Sequence, residues 1–122
     1  HNKIVIGCAF YSRRWDNLPN KDNGLNIKTE FPCIYGPNYT DIRTIYDKDS
    51  KYIKYWDPMA KAAWLFNGSG FITYDDPMSI GYKANYVKEN KLAGMMYWEH
   101  SADKSGTLFS AIYSNLLTGD NR

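Results

Sequence analysis

The sequence predicts an α/β protein built from two parallel strand–helix units, with a small α+β insertion between them. Two continuous apolar runs, Lys3–Phe10 and Leu92–Trp98, are typical of parallel strands that are buried on both faces. One helical pattern follows the insertion and another follows the second run, as expected where each strand is succeeded by a helix. The residues between the two units form short apolar runs separated by turns, which indicates antiparallel strands.

The first strand ends in aromatic and positively charged residues. β-Branched residues are frequent in Lys3–Phe10, and Tyr11–Trp15 follows with two arginines between aromatic rings. In parallel α/β barrels the interior is packed, and the chemistry lies where the strands end. This strand end is therefore a candidate functional edge, although polar residues that simply reach water would give the same pattern.

The insertion begins with a long segment of loop residues. Asp16–Gly36 is rich in Pro, Asn, Asp and Gly without a period, which predicts a loop of the kind found in an insertion with a function or fold of its own. Tyr39–Tyr46 has apolar residues at helical spacing and predicts a short helix. Three strands are predicted after it, at Tyr52–Asp57, Ala62–Phe66 and Phe71–Tyr74.

The segment Asp75-Asp76-Pro77 is a strong helix start. An Asp at the cap accepts hydrogen bonds from free backbone N–H groups, and Pro is favoured at the first helical position. We interpret both aspartates first as capping residues, because this context requires no catalytic role. The helix is predicted to end near Asn90.

The second strand, Leu92–Glu99, ends in an aromatic ring beside a carboxylate, Trp98 and Glu99. Polar residues follow, and a last helix is predicted at about Thr107–Leu117. Two strand ends of similar character in one short chain favour a shared functional edge.

Charge and composition exclude several classes of function. The chain has 122 residues and a net charge of +2 with both signs scattered, which argues against a dedicated nucleic-acid binder. No apolar run reaches the roughly 18 residues that would predict a transmembrane helix. A sequence that begins His-Asn without Met indicates an excised or processed piece. Aromatic residues make up 16% of the chain, and such rings stack on the apolar faces of sugars as readily as on other side chains.

Cysteine and histidine chemistry gives no strong candidate site. Cys8 is predicted to be a small core residue, and no disulfide with Cys33 is expected, although the redox state of the pair stays open. His100 and Asp103 offer too few ligands for a metal site. A serine-hydrolase interpretation is weak because the sequence has no Gly-x-Ser-x-Gly elbow. A generic Tyr-rich α+β domain without a sugar site is the plainest alternative.

Four ordered segments resemble family-18 glycoside hydrolases, the chitinases. Lys3–Trp15 is similar to their seventh barrel strand, and Leu92–Asp103 is similar to the eighth. Tyr52–Asp57 and Phe71–Ile80 resemble the end of the α+β insertion domain of the chitin-degrading subgroup and the helix start after it. The resemblance implies the last quarter to third of a TIM (β/α)8 barrel, divided into the seventh and eighth βα units (residues 1–15 and 75–122) and the insertion domain (residues 16–74).

The sequence departs from the family pattern at small residues and lacks the catalytic signatures. Ser12 and Ala93 stand where Gly is usual, and Arg14 stands where a small residue is common. The run of Asp residues that ends in the acid Glu on the fourth strand is absent, as is the Met-x-Tyr-Asp motif of the sixth. No catalytic residue is therefore expected in this chain, and the chain alone is expected to be inactive.

The resemblance implies that the parent protein hydrolyses β-1,4-linked N-acetylglucosamine polymers by a substrate-assisted, retaining route. The sugar's own N-acetyl carbonyl attacks the anomeric carbon while the absent Glu protonates the leaving oxygen. Trp98 would be the floor under the sugar, and Tyr11 and Arg13 would hydrogen-bond it on the leaving-group side. Tyr97 and Glu99 complete the candidate substrate-binding residues, and Glu99 has no assigned proton-transfer role without a partner carboxylate.

The implied partners are chitin or N-acetylglucosamine oligosaccharides, with no cofactor, metal, nucleic acid or membrane, and the implied location is extracellular. A non-hydrolytic, chitinase-like carbohydrate-binding protein is the alternative, because a barrel can lose its acid and keep its aromatic residues. Exo or endo action stays open. Barrel strands without neighbours expose hydrogen-bonding edges, so we expect Lys3–Phe10 and Leu92–Trp98 to pair with each other and with a second copy.

Overall fold

A computed structural model describes residues 2–117 and shows a mixed α/β fold with two sheets. The strands within these residues are β1 (Val5–Ala9), β2 (Tyr11–Trp15), β3 (Ile34–Asn38), β4 (Ile53–Asp57), β5 (Ala62–Phe66), β6 (Phe71–Tyr74) and β7 (Gly94–Trp98). The α-helices are α1 (Tyr39–Thr44), α2 (Pro77–Glu89) and α3 (Thr107–Leu117). Among the described residues, no helix has the length and apolar character needed to cross a membrane.

The two apolar runs form a parallel pair, as predicted. β1 and β7 align from Val5 opposite Gly94 to Ala9 opposite Trp98. Helices α2 and α3 pack against each other, and α2 contacts both strands. The prediction that both strand faces are buried is wrong for the described residues, because no element among them covers the second face. Val5 and Met96 on that face are 51% and 52% exposed.

The second sheet is antiparallel and has the strand order β3-β2-β6-β5-β4. It contains Tyr11–Trp15, which the sequence pattern grouped with the parallel strands. In the structure β2 pairs with β6 from Ser12 opposite Tyr74 to Trp15 opposite Phe71. The chain therefore passes from the parallel pair to the antiparallel sheet at Phe10. The domain boundary after residue 15 stays a prediction.

Strand β3 was not predicted, because its first three residues fall in the predicted loop Asp16–Gly36. Gly36 and Pro37 are loop-forming residues, but here they lie where the register between β2 and β3 shifts. Such a bulge tolerates Pro because one backbone N–H is not needed there. A Cβ at Gly36 would lie 2.2 Å from Ser12 Oγ, which shows how closely the two strands approach. The remaining loop prediction holds through residue 33, apart from a 3-10 turn at Asp22–Gly24.

The predicted helices agree with the structure. Asp76 is the N-cap of α2 and forms a capping box with Ser79, whose backbone N–H donates to Asp76 Oδ1 at 2.8 Å. Helix α1 is capped by Asn38, whose side chain accepts a hydrogen bond from Asp41 N. Buried Asp103 stabilises the start of α3 by accepting from Leu108 N at 2.7 Å.

One main core joins both sheets through Phe10, which has no exposed surface. The Phe10 ring stacks on Tyr97 with centroids 4.6 Å apart. Its backbone N–H donates to Trp98 O at 2.8 Å, and its carbonyl accepts from Tyr39 N at 3.0 Å. The other fully buried large side chains of this core come from the antiparallel sheet and from all three helices: Ile42, Leu65, Ile72, Ile80 and Leu108.

The two cysteines are free and lie in different surroundings. Cys8 is a buried core residue, as predicted, whereas Cys33 is exposed. Burial raises the pKa of the Cys8 thiol to about 11, because the charged thiolate is disfavoured away from water. Cys8 is therefore a core residue and not a nucleophile near neutral pH.

Buried tyrosines make the fold sensitive to alkali. Burial raises the pKa of Tyr39 to about 12 and raises that of Tyr74 further. The folded chain thus keeps these protons at a pH where an unfolded tyrosine, with a pKa of about 10, ionises. Their contribution to stability is complete below about pH 10 and is lost as the pH rises toward the folded-state values.

We predict that the free energy of unfolding falls between about pH 9.5 and 11.5, and that Tyr74→Phe reduces this fall. Removing one such proton should flatten the slope by up to about 1.4 kcal/mol per pH unit. Urea unfolding at several pH values in this range measures the slope of the free energy of unfolding against pH. Tyr113→Phe, at a position that is 54% exposed, is the control and should show the same slope as the unmodified chain. Equal slopes for Tyr74→Phe and the unmodified chain would contradict the burial argument.

Candidate functional site

The carboxyl ends of β1 and β7 lie side by side because the strands are parallel and Ala9 is opposite Trp98. The chain leaves this edge in two directions. After β1 it enters β2 at Tyr11, and after β7 it enters a 3-10 turn at His100–Ala102. Residues from both sheets are thereby brought to one edge, as the two strand ends in the sequence predicted.

Trp98 is an exposed aromatic ring at the end of β7. It is 65% exposed, and its peptide bond to Glu99 is cis. Glu99 is exposed, and its carboxylate accepts a hydrogen bond from Ser101 Oγ. A large ring with a free face beside a carboxylate can contact a ligand that has one apolar face and several hydroxyl groups.

These residues line a groove of about 270 Å³, which we call the Trp98 groove. The parallel pair and the turn after it supply one side, and strands β2 and β3 of the insertion sheet supply the other. The groove is lined by Tyr11, Tyr35, Asn38, Trp98, Glu99, Ser101 and Ala102. Aromatic rings, an amide, a carboxylate and a hydroxyl therefore meet in one open depression.

The two sides of the Trp98 groove are fixed to each other by Thr40. Its hydroxyl donates to Ala102 O at 3.0 Å and accepts from Lys104 N at 2.9 Å. Thr40 lies in α1, directly after β3, whereas Ala102 and Lys104 follow β7. This contact adds to the backbone hydrogen bonds of Phe10, so the insertion wall cannot move far without breaking several hydrogen bonds.

A second depression, of about 250 Å³, lies near Tyr11 and Arg13, and we call it the Asp75 groove. Asp75 was interpreted as a capping residue together with Asp76, but only Asp76 caps the helix. Asp75 Oδ2 instead accepts from Ala9 N at 3.1 Å and pairs with Lys83. Asp75 therefore ties α2 to the end of β1.

Arg13 contacts two neighbouring tyrosine rings. Its guanidinium carbon is 4.0 Å from the ring centroid of Tyr35 and 5.2 Å from that of Tyr11. The two tyrosine rings are 5.9 Å apart at an angle of 56°. Tyr11 and Arg13, both candidates from the sequence, thus lie together; Tyr11 lines both grooves, whereas Arg13 lines only the Asp75 groove.

Tyr97 is placed differently from the prediction. Side chains alternate along a strand, so Tyr97 points away from the face that carries Trp98. Its ring stacks on Phe10 and packs edge-on against Phe109, with centroids 5.9 Å apart, and its hydroxyl lies 3.2 Å from His100 Nδ1. Tyr97 is not among the residues that line the Trp98 groove. The structure places its ring against the core, and a substrate-binding role for it stays a prediction.

Four residues that line the groove were not predicted as site residues: Tyr35, Asn38, Ser101 and Ala102. Tyr35 and Asn38 lie in the strand that was interpreted mainly as loop. The available signal was the pair Ile34-Tyr35, a β-branched residue followed by an aromatic one, before the Gly-Pro bulge. Within residues 2–117, no three His, Cys, Asp or Glu side chains come together so that they could hold a metal ion.

Comparison with known proteins finds relatives over nearly the whole chain. The model of the family described as Glycosyl hydrolases family 18 matches residues 1–103. Chitinase A1 of Niallia circulans is 35% identical over 96% of this chain and 18% of its own length. The chain spans about a fifth of the length of the curated relatives it matches.

Two solved structures share the fold. A family 18 N-acetylglucosaminidase from Paenibacillus barengoltzii aligns with a TM-score of 0.91 and 46% identity, over 94% of this chain and 34% of its own. A chitinase from a Paenibacillus strain, described as a cell-surface-expressed, multi-modular enzyme, aligns with a TM-score of 0.88 and 41% identity. That alignment covers 100% of this chain and 11% of the other.

The two faces of β7 predict opposite results for neighbouring aromatic residues. Tyr97→Ala should lower the free energy of unfolding by about 2–3 kcal/mol, because it removes a ring packed against Phe10. Trp98→Ala should change it by less than about 0.5 kcal/mol, because that ring is mainly exposed. Tyr97→Phe, which keeps the ring, is the matched control and should cost less than Tyr97→Ala. Urea unfolding measures all three, and a larger loss for Trp98→Ala would contradict the assignment of faces.

Proposed function

Because this chain belongs to family 18 of the glycosyl hydrolases, we propose that it supplies part of the substrate cleft of a chitinase. The substrate class is β-1,4-linked N-acetylglucosamine polymer, and the reaction is substrate-assisted hydrolysis with retention. In this proposal β1 and β7 are neighbouring strands of a (β/α)8 barrel, and the antiparallel sheet forms one wall of the cleft. The parent enzyme acts outside the cell, in keeping with the cell-surface expression of one similar chitinase.

The exposed Trp98 ring in the Trp98 groove is the observation that carries the proposal. Sugar rings present apolar C–H faces, and an indole ring with a free face stacks on them while nearby polar groups bind the hydroxyls. Glu99, Ser101 and Asn38 offer acceptors and donors in the same groove. The sites of small ligands commonly combine such an apolar surface with a few polar groups.

In the proposed reaction this chain binds and orients the sugar but does not transfer the proton. A substrate-assisted route needs an acid that protonates the leaving oxygen while the N-acetyl carbonyl attacks the anomeric carbon. Glu99 lies beside the platform, and its carboxylate already accepts a hydrogen bond from Ser101. We therefore assign Glu99 to binding and place the catalytic acid outside these 122 residues.

The alternative is a non-hydrolytic, chitinase-like carbohydrate-binding protein. The observation that favours it is the composition of the Trp98 groove, in which Glu99 is the only carboxylate among the lining residues. The residue at the acid position of the parent protein discriminates between the two, because Glu favours the enzyme and Gln or an apolar residue favours the binding protein.

We predict that this chain binds the N-acetylglucosamine tetramer without hydrolysing it. Trp98→Ala should weaken binding by about thirtyfold or more, because a central aromatic contact of this kind is worth about 2 kcal/mol. Isothermal titration calorimetry measures the affinity, and chromatography of the incubated sugar measures hydrolysis. Tyr113→Ala, which removes an exposed ring from α3, should bind as the unmodified chain does.

Two results would contradict the proposal in different ways. Unchanged binding by Trp98→Ala would show that the Trp98 groove is not the sugar site. Clear turnover by the isolated chain would show that the acid lies within it.

A further inference from the structure

Tyr35 presents a large aromatic surface that core packing does not explain. It lies in β3, an edge strand of the antiparallel sheet, and it is 74% exposed. It shares the Trp98 groove with the Trp98 ring, although the two residues come from different sheets. Exposed rings on two sides of one groove are an arrangement that can contact neighbouring units of a chain-like ligand.

A contact with Arg13 favours one orientation of the Tyr35 ring before any ligand arrives. Arg13 is its partner across the strands, and the guanidinium lies over the ring at 4.0 Å. The same guanidinium is 5.2 Å from the ring centroid of Tyr11, and the Tyr11 ring itself contacts the Tyr35 ring. Cation–π contacts of this type stabilise a ring orientation by about 0.5–1 kcal/mol at exposed sites. A ring that is already oriented loses less conformational entropy when it binds.

The bulge between β2 and β3 sets this geometry. Ser12 Oγ donates to Pro37 O at 2.6 Å, and Gly36 lets the strands approach at that point. The register shift places Tyr35 opposite Arg13, while Asn38 remains opposite Tyr11. The wall residues of the groove are thus positioned by one local irregularity of the sheet.

We propose that Tyr35, held by Arg13, is a second aromatic platform that contacts the sugar unit next to the one stacked on Trp98. This inference rests on the proposed function, since it concerns the same groove and ligand. Tyr35 then acts as a specificity residue that adds affinity for oligosaccharides over the single sugar. The Trp98 platform contributes at every length, whereas the Tyr35 platform contributes only when a second unit is present.

The affinity for sugars of increasing length tests the proposal. N-acetylglucosamine and its dimer, trimer and tetramer are titrated against this chain, with NMR for weak ligands and calorimetry for tight ones. Tyr35→Val removes the ring and keeps a residue suited to a strand. It should weaken tetramer binding about three- to tenfold and leave monosaccharide binding unchanged.

Two further variants control for strand structure and for the hydroxyl group. Tyr35→Phe keeps the ring and should bind the tetramer within about twofold of the unmodified chain. Ile34→Ala alters the adjacent residue of β3, which is half exposed and points to the opposite face. This variant should show the same dependence of affinity on oligosaccharide length as the unmodified chain. Amide NMR spectra of each variant show whether the sheet is intact.

The outcomes separate this inference from the proposed function. If Tyr35→Val binds every length as the unmodified chain does while Trp98→Ala loses binding, the second platform is wrong and the sugar site stands. Equal weakening of monosaccharide and tetramer by Tyr35→Val would place Tyr35 on the same sugar as Trp98 and would also overturn the inference. If the unmodified chain binds none of the sugars, the proposed function fails and this inference fails with it.

Discussion

The backbone of Phe10 is the constraint on which the rest of the structure depends. Its N–H donates a hydrogen bond to Trp98 O, and its carbonyl accepts one from Tyr39 N–H. Its ring is fully buried and stacks on Tyr97. Phe10 is the single residue between β1 and β2, so the two sheets are joined by a very short connection. Such a connection restricts their relative movement. The Thr40 hydroxyl adds a second connection on the far side of the groove. Hydrogen bonds at two places therefore hold the antiparallel sheet against the end of β7.

Neighbouring residues of β7 have different roles: one packs in the core and the next lines the groove. Tyr97 faces the core and holds Phe10, whereas its neighbour Trp98 faces the groove and keeps an open ring surface. The same division occurs in β2, where Ser12 is buried at the bulge while Arg13 holds Tyr35 on the outer face. Binding surfaces built in this way need little rearrangement when a ligand arrives, which reduces the entropy lost on binding.

Local signals predicted most of the fold, and long-range pairing accounts for the errors. The start of α2 followed from Asp76-Pro77, and the parallel pair followed from two apolar runs, because capping and burial are properties of short segments. The membership of β2 in the antiparallel sheet depends on its pairing with β6, far along the chain, which no local pattern reveals. Strand β3 was hidden by Gly36 and Pro37, whose usual role in loops is replaced here by a bulge. Trp98, Tyr11 and Arg13 were predicted as binding residues because they follow or end apolar runs, and that role stays a prediction; the orientation of Tyr97 required the register.

Native-state hydrogen exchange at the Phe10 and Tyr39 amides tests most directly whether the two sheets form one rigid unit. If they do, both amides exchange only through global unfolding, with the same free energy as the Cys8 amide in β1. A Tyr39 amide that exchanges with a free energy several kcal/mol below that of Cys8 would show that the insertion opens independently. In that case the wall of the Trp98 groove would be mobile, and a rigid connection between the sheets through Phe10 would be contradicted.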